Sequence, residues 1–147
     1  MADTVVTASR VISFAEALES RSEAFYTDLA ERFPDARERF LAFAEDCGKN
    51  RVSLVRTYRE TVSDALETGF SFQGLDLADY EIDTTLDEEA TLNGALRQAV
   101  EMEAKAVAFH QTVAERSRSL LATIAMAFRR AARSRKRRKQ TLESLLE

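Results

Sequence analysis

The amino-acid sequence predicts an all-α fold of four long helices. The chain of 147 residues contains one Pro, four Gly and no Trp, a composition that favours helix and lacks the turn residues of a many-stranded β fold. Apolar residues recur three and four positions apart over four stretches, which is the spacing of amphipathic helices. The length suits one domain with a sizeable core. We therefore expect residues 1–147 to form a single helical domain.

The four helical stretches are separated by a short, a long and a second short connection. Their expected bounds are about 9–33, 35–66, 88–115 and 118–145. Thr7 or Ser9 can cap the first helix, because a hydroxyl there accepts a hydrogen bond from a free backbone N–H of the first turn. Pro34 ends that helix, and Asp35 caps or opens the second one. The short link predicts that these two helices form an antiparallel hairpin.

The long connection, residues 69–87, contains two Gly and several Asp without a sustained apolar period, as irregular segments do. Thr85 or Asp87 can cap the third helix, because acidic side chains that favour a helix N-terminus follow directly. Ser117 or Ser119 can cap the fourth helix. The expected fold is thus a four-helix bundle of two antiparallel helix hairpins joined by a long crossover.

Opposite charges are concentrated in different parts of the chain. Residues 1–128 carry 23 acidic and 13 basic side chains, whereas residues 129–147 carry 2 acidic and 8 basic ones. Such a basic last helix can pair with a second copy of the chain, with a partner protein or with a polyanion. The basic tract 129–139 lacks the aromatic residues on which bases stack, which favours a solvated or partner-docking face over nucleic-acid binding.

Three features indicate a soluble cytoplasmic protein. The first twenty residues lack the basic start and apolar run of a secretory signal. The longest apolar stretch, 120–128, is too short to span a bilayer, so no membrane association is expected. Cys47 is the single cysteine, which excludes an internal disulfide and suits a reducing compartment.

The two predicted hairpins resemble each other in sequence. The matching segments are 14–26 with 98–110, and 40–54 with 128–142. The first match aligns Glu19 with Glu103 and Tyr26 with His110. A repeated hairpin about a pseudo-two-fold axis would place equivalent residues face to face in the core.

The core-facing seam of each helix is apolar at both ends and polar in the middle. The residues of this expected charged layer are Glu19, Tyr26, Cys47, Asn50, Glu103, His110, Arg135 and Arg138. Buried polar groups require partners, so these side chains are expected to contact one another at mid-height of the bundle.

This pattern resembles the rubrerythrin-like branch of the ferritin-like superfamily over about residues 10–145. The resemblance implies a ferritin-like bundle that holds a di-iron centre. The first and third helices would each supply a Glu seven residues before an aromatic, and the second and fourth would each supply Glu-x-x-His. Glu19 and Glu103 match the first requirement. The other four ligand positions hold Cys47, Asn50, Arg135 and Arg138, so the di-iron site is degenerate.

The sequence therefore predicts that Arg135 and Arg138 neutralise Glu19 and Glu103 through charge-assisted hydrogen bonds, in place of metal ions. No cofactor and no catalysis are expected, and the protein would serve as a binding or structural component. The resemblance also implies a homodimer.

Two other functions stay open. One is a rubrerythrin-type iron-binding oxidoreductase with an atypical site, for which Glu19, Glu103 and His110 are remnant ligand candidates. The other is a polyanion-binding protein that acts through the basic fourth helix. Cys47 on the seam of the second helix is expected to be a small buried hydrophobe. As a minor hypothesis, the nearby arginines would lower the pKa of Cys47 and favour a reactive thiolate.

Overall fold

The computed structural model describes residues 6–62, 72, 74–117 and 122–146, and within these residues the chain is helical with no strand element. It contains four long helices and two short 3-10 turns. These are α1 (Ala8–Arg32), a 3-10 turn (Pro34–Ala36), α2 (Arg37–Thr61), a second 3-10 turn (Leu77–Tyr80), α3 (Leu92–Ser117) and α4 (Ala122–Leu145). The predicted all-α class is confirmed for this part of the chain, and four long helices are compatible with a four-helix bundle.

The helices pack mainly as two pairs, α1 with α2 and α3 with α4, and the pairs meet where α2 contacts α4 and α1 contacts α3. Within the first pair, the ring of Tyr26 near the end of α1 lies 5.3 Å from that of Phe43 near the start of α2. Within the second pair, Phe109 lies 6.1 Å from Phe128 in the same inverse order. Both pairs are therefore antiparallel hairpins.

The relative direction of the two hairpins follows from contacts between α1 and α3. His110, late in α3, bonds Glu19 in α1, whereas Glu103, earlier in α3, bonds Tyr26 further along α1. These helices are thus antiparallel, and α2 and α3 run in the same direction. The segment between α2 and α3 must therefore return along the length of the bundle.

Threonine hydroxyls cap α1 and α3. Thr7 Oγ1 accepts a hydrogen bond from the Arg10 N–H at 3.2 Å, as the sequence predicted. The predicted start of the third helix was wrong, because Thr91, rather than Thr85 or Asp87, receives the first-turn N–H of Gly94 at 3.0 Å. Asp87 instead accepts the Glu89 N–H within the preceding turn. The helix begins at Leu92, directly after the Thr91 hydroxyl that caps it.

Three other predicted helix ends differ from the structure. A 3-10 turn at Pro34–Ala36 delays the start of α2 to Arg37. The second helix stops at Thr61, because Val62 is extended, and residues 63–66 of the predicted range lie outside the described residues. Ser117 is no cap of the fourth helix, since it is buried at the end of α3 and donates to the Val113 carbonyl at 2.7 Å. Residues 118–121, including Ser119, are outside the described residues as well.

The described part of the crossover lies across α1 and α3. Arg21 of α1 donates to the Ile82 carbonyl at 2.8 Å. From α3, Gln98 donates to the carbonyls of Asp83 and Thr85. The crossover thus links the two hairpins through backbone carbonyls, while the buried Ile82 side chain packs into the core. Residues 69–71 and 73 of the predicted crossover lie outside the described residues.

The core is built from alanine, leucine and phenylalanine side chains on the inner faces of the helices. Apolar residues pack at both ends, with Ile12 and Phe128 at one end and Leu29 and Leu142 at the other. Polar residues lie between these apolar ends. No helix in the described ranges combines the length and apolar character that crossing a bilayer demands.

Candidate functional site: a buried charge layer

Polar and charged side chains from all four helices meet in the middle of the core. We call this set the charge layer and define it as Glu19, Ser22, Tyr26, Cys47, Glu103, His110, Arg135 and Arg138. Each of these side chains belongs to a residue that is at most 3% exposed. A layer so thoroughly removed from water must satisfy its own hydrogen bonds and charges.

Arg135 lies at the centre of the charge layer. Its Nη2 is 2.8 Å from Glu19 Oε2 and its Nε is 3.3 Å from Glu19 Oε1. On its other side, Nη1 donates to both oxygens of Glu103 at 2.9 Å, and Nη2 also donates to Ser22 Oγ at 2.8 Å. The planar guanidinium therefore lies between two carboxylates, an arrangement that suits arginine better than lysine.

Arg138 is the second cation of the layer. Its Nη1 lies 3.2 Å from Glu103 Oε2 and 3.3 Å from Cys47 Sγ. The guanidinium carbon lies 5.7 Å from the ring centres of Tyr26 and Phe43, a distance at which the ring faces attract a cation. Its Nε and Nη2 have no hydrogen-bond partner among the described residues.

Tyr26 and His110 complete the coordination of the two carboxylates. The Tyr26 hydroxyl donates to Glu103 Oε2, and His110 Nε2 lies 3.1 Å from Glu19 Oε1. These are the two residues that the internal repeat aligned, and each contacts the glutamate of the opposite hairpin. These reciprocal contacts connect α1 to α3 through two buried hydrogen bonds.

The charges of the layer are balanced. Burial raises the pKa of Glu19, but the charge of Arg135 and the hydrogen bond with His110 outweigh that effect and lower the pKa to about 2. Burial likewise works against the charged form of Arg135, yet the charges of Glu103 and Glu19 raise its pKa well above the ordinary value. Two carboxylates thus face two guanidinium groups.

The remaining titratable groups of the layer favour their neutral forms. Burial, together with the charge of Glu103, raises the pKa of Tyr26 well above its ordinary value. Burial lowers the pKa of His110, although the hydrogen bond with Glu19 works in the opposite direction. A neutral His110 that donates through Nε2 to Glu19 leaves the balance of charge in the layer unchanged.

The pKa of Cys47 is shifted in the direction opposite to the minor hypothesis drawn from the sequence. Burial raises the pKa of its thiol to about 12, and this effect exceeds the opposing influence of Arg135 and Arg138. Proximity to arginine is insufficient here because the glutamates largely offset the positive charge and water is excluded. The thiol is buried next to Arg138, as expected for a small core residue, and the minor hypothesis of a lowered pKa was wrong.

Asn50 lies outside the charge layer. It is half-buried, and its Nδ2 contacts Ser134 Oγ at 3.5 Å. Conversely, the sequence-based list omitted Ser22, whose hydroxyl accepts from Arg135 and donates to the Leu18 carbonyl at 2.8 Å. Its position three residues after Glu19 places it on the same core-facing seam of the helix, although it was not predicted to belong to the charged layer.

The residues present do not fit a di-iron centre. Such a centre requires several carboxylate or imidazole donors within about 2 Å of each metal. Glu19, Glu103 and His110 are the nearest set of that chemistry, but the Arg135 guanidinium lies between the carboxylates, and arginine offers no lone pair to a metal. Throughout the described ranges, no group of three or more His, Cys, Asp or Glu side chains is arranged to hold a metal ion.

Comparison with known proteins gives no relative from which a role could be transferred. No family model, no curated protein and no solved structure matches this chain.

Proposed function

We propose that this chain is a ferritin-like bundle in which the charge layer stands where a di-iron centre would be held, and that it acts as a non-catalytic structural or binding component. The observation that carries this proposal is the position of Arg135, whose guanidinium donates to both Glu19 and Glu103 in the core. These are the two glutamates that occupy di-iron ligand positions in the resemblance.

The order and direction of the helices support the ferritin-like part of the proposal. Two antiparallel hairpins are joined so that α2 and α3 run in the same direction, which is the connectivity of bundles with one long crossover. A simple up-down-up-down bundle would make α2 and α3 antiparallel. The internal repeat is a second support, since Glu19 and Glu103 both contact Arg135 from opposite hairpins.

The charge layer offers a physical substitute for bound metal. In a metal centre, cations offset the mutual repulsion of the carboxylates that hold them. Here Arg135 and Arg138 supply two permanent positive charges from α4 itself. The core then assembles without an external ion, because folding alone brings the counter-charges to Glu19 and Glu103.

The burial of the charge layer and its internal hydrogen bonds support a non-catalytic role. Glu19, Glu103, His110 and Arg135 are each 0% exposed, so no substrate atom can reach their polar groups without local opening. A general acid or base must lie within hydrogen-bond reach of the proton it transfers. The carboxylate oxygens of Glu19 and Glu103 are already engaged by Arg135, Tyr26 and His110 of the same chain.

Iron binding tests this proposal. The wild-type protein and a variant with the ligand pattern restored would be incubated anaerobically with ferrous iron, desalted, and assayed for metal. The restored variant carries Cys47→Glu, Asn50→His, Arg135→Glu and Arg138→His, which recreates Glu-x-x-His on α2 and α4. Circular dichroism and size-exclusion chromatography establish that both proteins are folded.

We expect no retained iron in the wild type and retained iron in the restored variant. The contrast would show that the residues at these four positions, rather than the fold, prevent metal binding. Iron retained by the wild type near two ions per chain would contradict the proposal. One ion per chain, lost in a His110→Ala variant, would instead support the atypical iron-binding alternative. If the restored variant does not fold, the wild-type measurement alone decides.

A further inference from the structure

One face of α4 carries a continuous row of exposed cations, which we call the basic face. Its residues are Arg129, Arg130, Arg133, Lys136 and Arg137, and all five are exposed. At 3.6 residues per turn they lie within an arc of about 120° and over about 12 Å of helix. No ion pair connects any of the five to another residue in the described ranges. The sequence of α4 contains no acidic residue before Glu143.

The basic face is unfavourable for an isolated chain. Arg133 has a cation three or four residues away in both directions, and like charges at these spacings cost about 0.2–0.5 kcal/mol per pair. The negative end of the helix offers little relief, because its effect fades within the last turn, whereas these residues lie two or more turns before Leu145. This repulsion would be relieved by an anionic partner outside the chain.

The crossover presents the opposite charge on another side of the molecule. We call residues 76–89 the acidic strap. Its seven acidic residues are all exposed, and they are Asp76, Asp79, Glu81, Asp83, Asp87, Glu88 and Glu89. Between Phe72 and Leu96 the sequence contains no Lys or Arg. In the described chain, a single side-chain ion pair, from Arg21 to Glu81 at 3.1 Å, reaches this strap, while Arg32 and Lys105 donate to its backbone carbonyls at Asp87 and Glu81. With seven carboxylates against three cations, the strap keeps an excess of negative charge.

The basic face and the acidic strap cannot neutralise each other within one chain. The strap is held over α1 and α3 by Arg21 and Gln98, while α4 packs against α2 and α3 with its buried face inward. The exposed side of α4 therefore points away from the strap. Each surface can therefore pair with an opposite charge only outside its own chain, and a second copy of the chain presents both surfaces.

We propose that the basic face of one molecule docks on the acidic strap of a second copy. The contact is head-to-tail, since different surfaces meet, so the assembly closes into a ring where the rotation between copies allows and extends as an open chain where it does not. Arginine predominates in the basic face, and its forked donors suit the carboxylates of the strap. Exposed Met126 on the same side of α4, 52% exposed, adds apolar area to the contact.

Paired charge-reversal variants provide the test. A face variant carries Arg133→Glu and Arg137→Glu, and a strap variant carries Glu88→Lys and Glu89→Lys. The side chains chosen in the strap make no hydrogen bond or ion pair within the described chain, so their reversal leaves the strap's own turns intact. Sedimentation velocity at low ionic strength would measure association of each variant alone and of their equimolar mixture.

Matched controls carry the same change of net charge elsewhere. Arg37→Glu with Arg39→Glu controls for the face variant, and Glu38→Lys with Asp46→Lys controls for the strap variant. All four control positions are exposed residues near or within the first half of α2. These controls separate loss of a specific contact from a change in overall charge.

We expect the wild type and both controls to associate at low salt and to dissociate at about 0.5 M salt, where charges are screened within a few ångströms. Each reversal variant alone should associate at least about tenfold more weakly. Their mixture should form a one-to-one dimer, because one partner keeps the basic face and the other keeps the strap. A wild type that stays monomeric, a mixture that does not associate, or association unaffected by reversal would overturn the proposal. Salt-sensitive binding of duplex DNA by a monomeric protein, lost in the face variant, would overturn it in favour of nucleic acid.

Discussion

Arg135 and Glu19 form a two-point ion pair between the last and the first long helix, with Nη2 2.8 Å from Oε2 and Nε 3.3 Å from Oε1. The same guanidinium donates to both oxygens of Glu103 on α3. One side chain thus links α1, α3 and α4 in the middle of the core. Removing any member would leave a buried charge without its partner, a change that costs far more than losing a surface ion pair.

Arg135→Lys should destabilise the protein although it preserves the charge. A lysine ammonium cannot donate to two carboxylates with the geometry of the planar guanidinium, so we expect a loss of about 2–4 kcal/mol in the free energy of unfolding. Urea denaturation followed by circular dichroism measures this loss. Arg137→Lys, on the exposed side of the same helix, is the control and should change stability by less than about 0.5 kcal/mol. Equal effects of the two substitutions would show that the bridging geometry is unimportant.

Acid should destabilise the protein through Glu19. Its pKa is about 2 in the folded protein against an ordinary 4.5, so between these values the unfolded chain binds more protons and stability falls as pH decreases. The resulting contribution, about 3 kcal/mol, is fully present above pH 4.5 and lost towards pH 2. Chemical denaturation between pH 2 and 7 would reveal the decline. In Glu19→Gln this part of the decline should be absent, and an unchanged profile would contradict the assignment.

His110 adds a separate pH dependence closer to neutrality. Its folded pKa is lowered by burial from the ordinary 6.5, so the unfolded chain again takes up the proton first. The contribution of neutral His110 to the free energy of unfolding should be fully present above pH 6.5 and should decrease as pH falls below that value. His110→Gln should flatten the profile just below pH 6.5 while the decline below pH 4.5 persists. Stability that rises on acidification from pH 7 to 6 would indicate a raised pKa instead.

Cys47 should react slowly with thiol reagents in the native protein. The thiol is fully buried and its pKa is raised to about 12, so both access and thiolate formation are restricted. Labelling with a chromogenic disulfide at pH 8 should proceed only at the rate of opening and should accelerate in denaturant. A single exposed cysteine introduced by Val52→Cys in a Cys47→Ala background is the control, because Val52 is 50% exposed. Comparable rates for the two thiols would contradict this account.

Gly48 in α2 lies directly against a side chain of α1. A Cβ at this position would lie 2.7 Å from Glu23 Oε2, and the Glu23 carboxylate is held there by Arg51 at 2.8 Å. Gly48→Ala gains helix propensity of about 1 kcal/mol, but it must displace that half-exposed ion pair. In the wild-type background Gly48→Ala should therefore raise the stability by only part of this amount. In a Glu23→Ala background, where the ion pair is absent, it should raise the stability by the full amount. Thermal denaturation of the four proteins measures the difference, and equal gains in both backgrounds would refute the explanation.

The sequence carries much of the information needed to locate the layer. The repeat aligned Glu19 with Glu103 and Tyr26 with His110, and the structure buries all four and joins them in two hydrogen bonds across the hairpins. The helical periodicity predicted that these residues are buried, because residues three, four and seven apart share a helix face. The helix class was predictable for the same reason.

Other details depend on tertiary geometry that periodicity does not contain. Arg135 contacts both glutamates, whereas Arg138 contacts only Glu103 by an ion pair, and this division follows from side-chain reach across the bundle. Asn50 is three residues after Cys47, and the resulting turn of about 300° directs it to the boundary with α4, where it meets Ser134. Thr91 caps α3, which begins at Leu92, whereas local sequence rules assigned that cap to Thr85 or Asp87; Asp87 instead accepts the Glu89 N–H within a turn.

The most direct test of the charge layer is a double-mutant cycle between Glu19 and Arg135. Glu19→Leu and Arg135→Met each leave one buried charge unpaired and should cost about 3–5 kcal/mol. The double variant restores neutrality, because Glu103 keeps Arg138, so its loss should fall short of the sum by about 1–3 kcal/mol. A cycle at the surface pair of Glu23 and Arg51 is the control and should show coupling below about 1 kcal/mol. Additive losses at Glu19 and Arg135 would contradict the claim that paired charges replace a metal centre in this core.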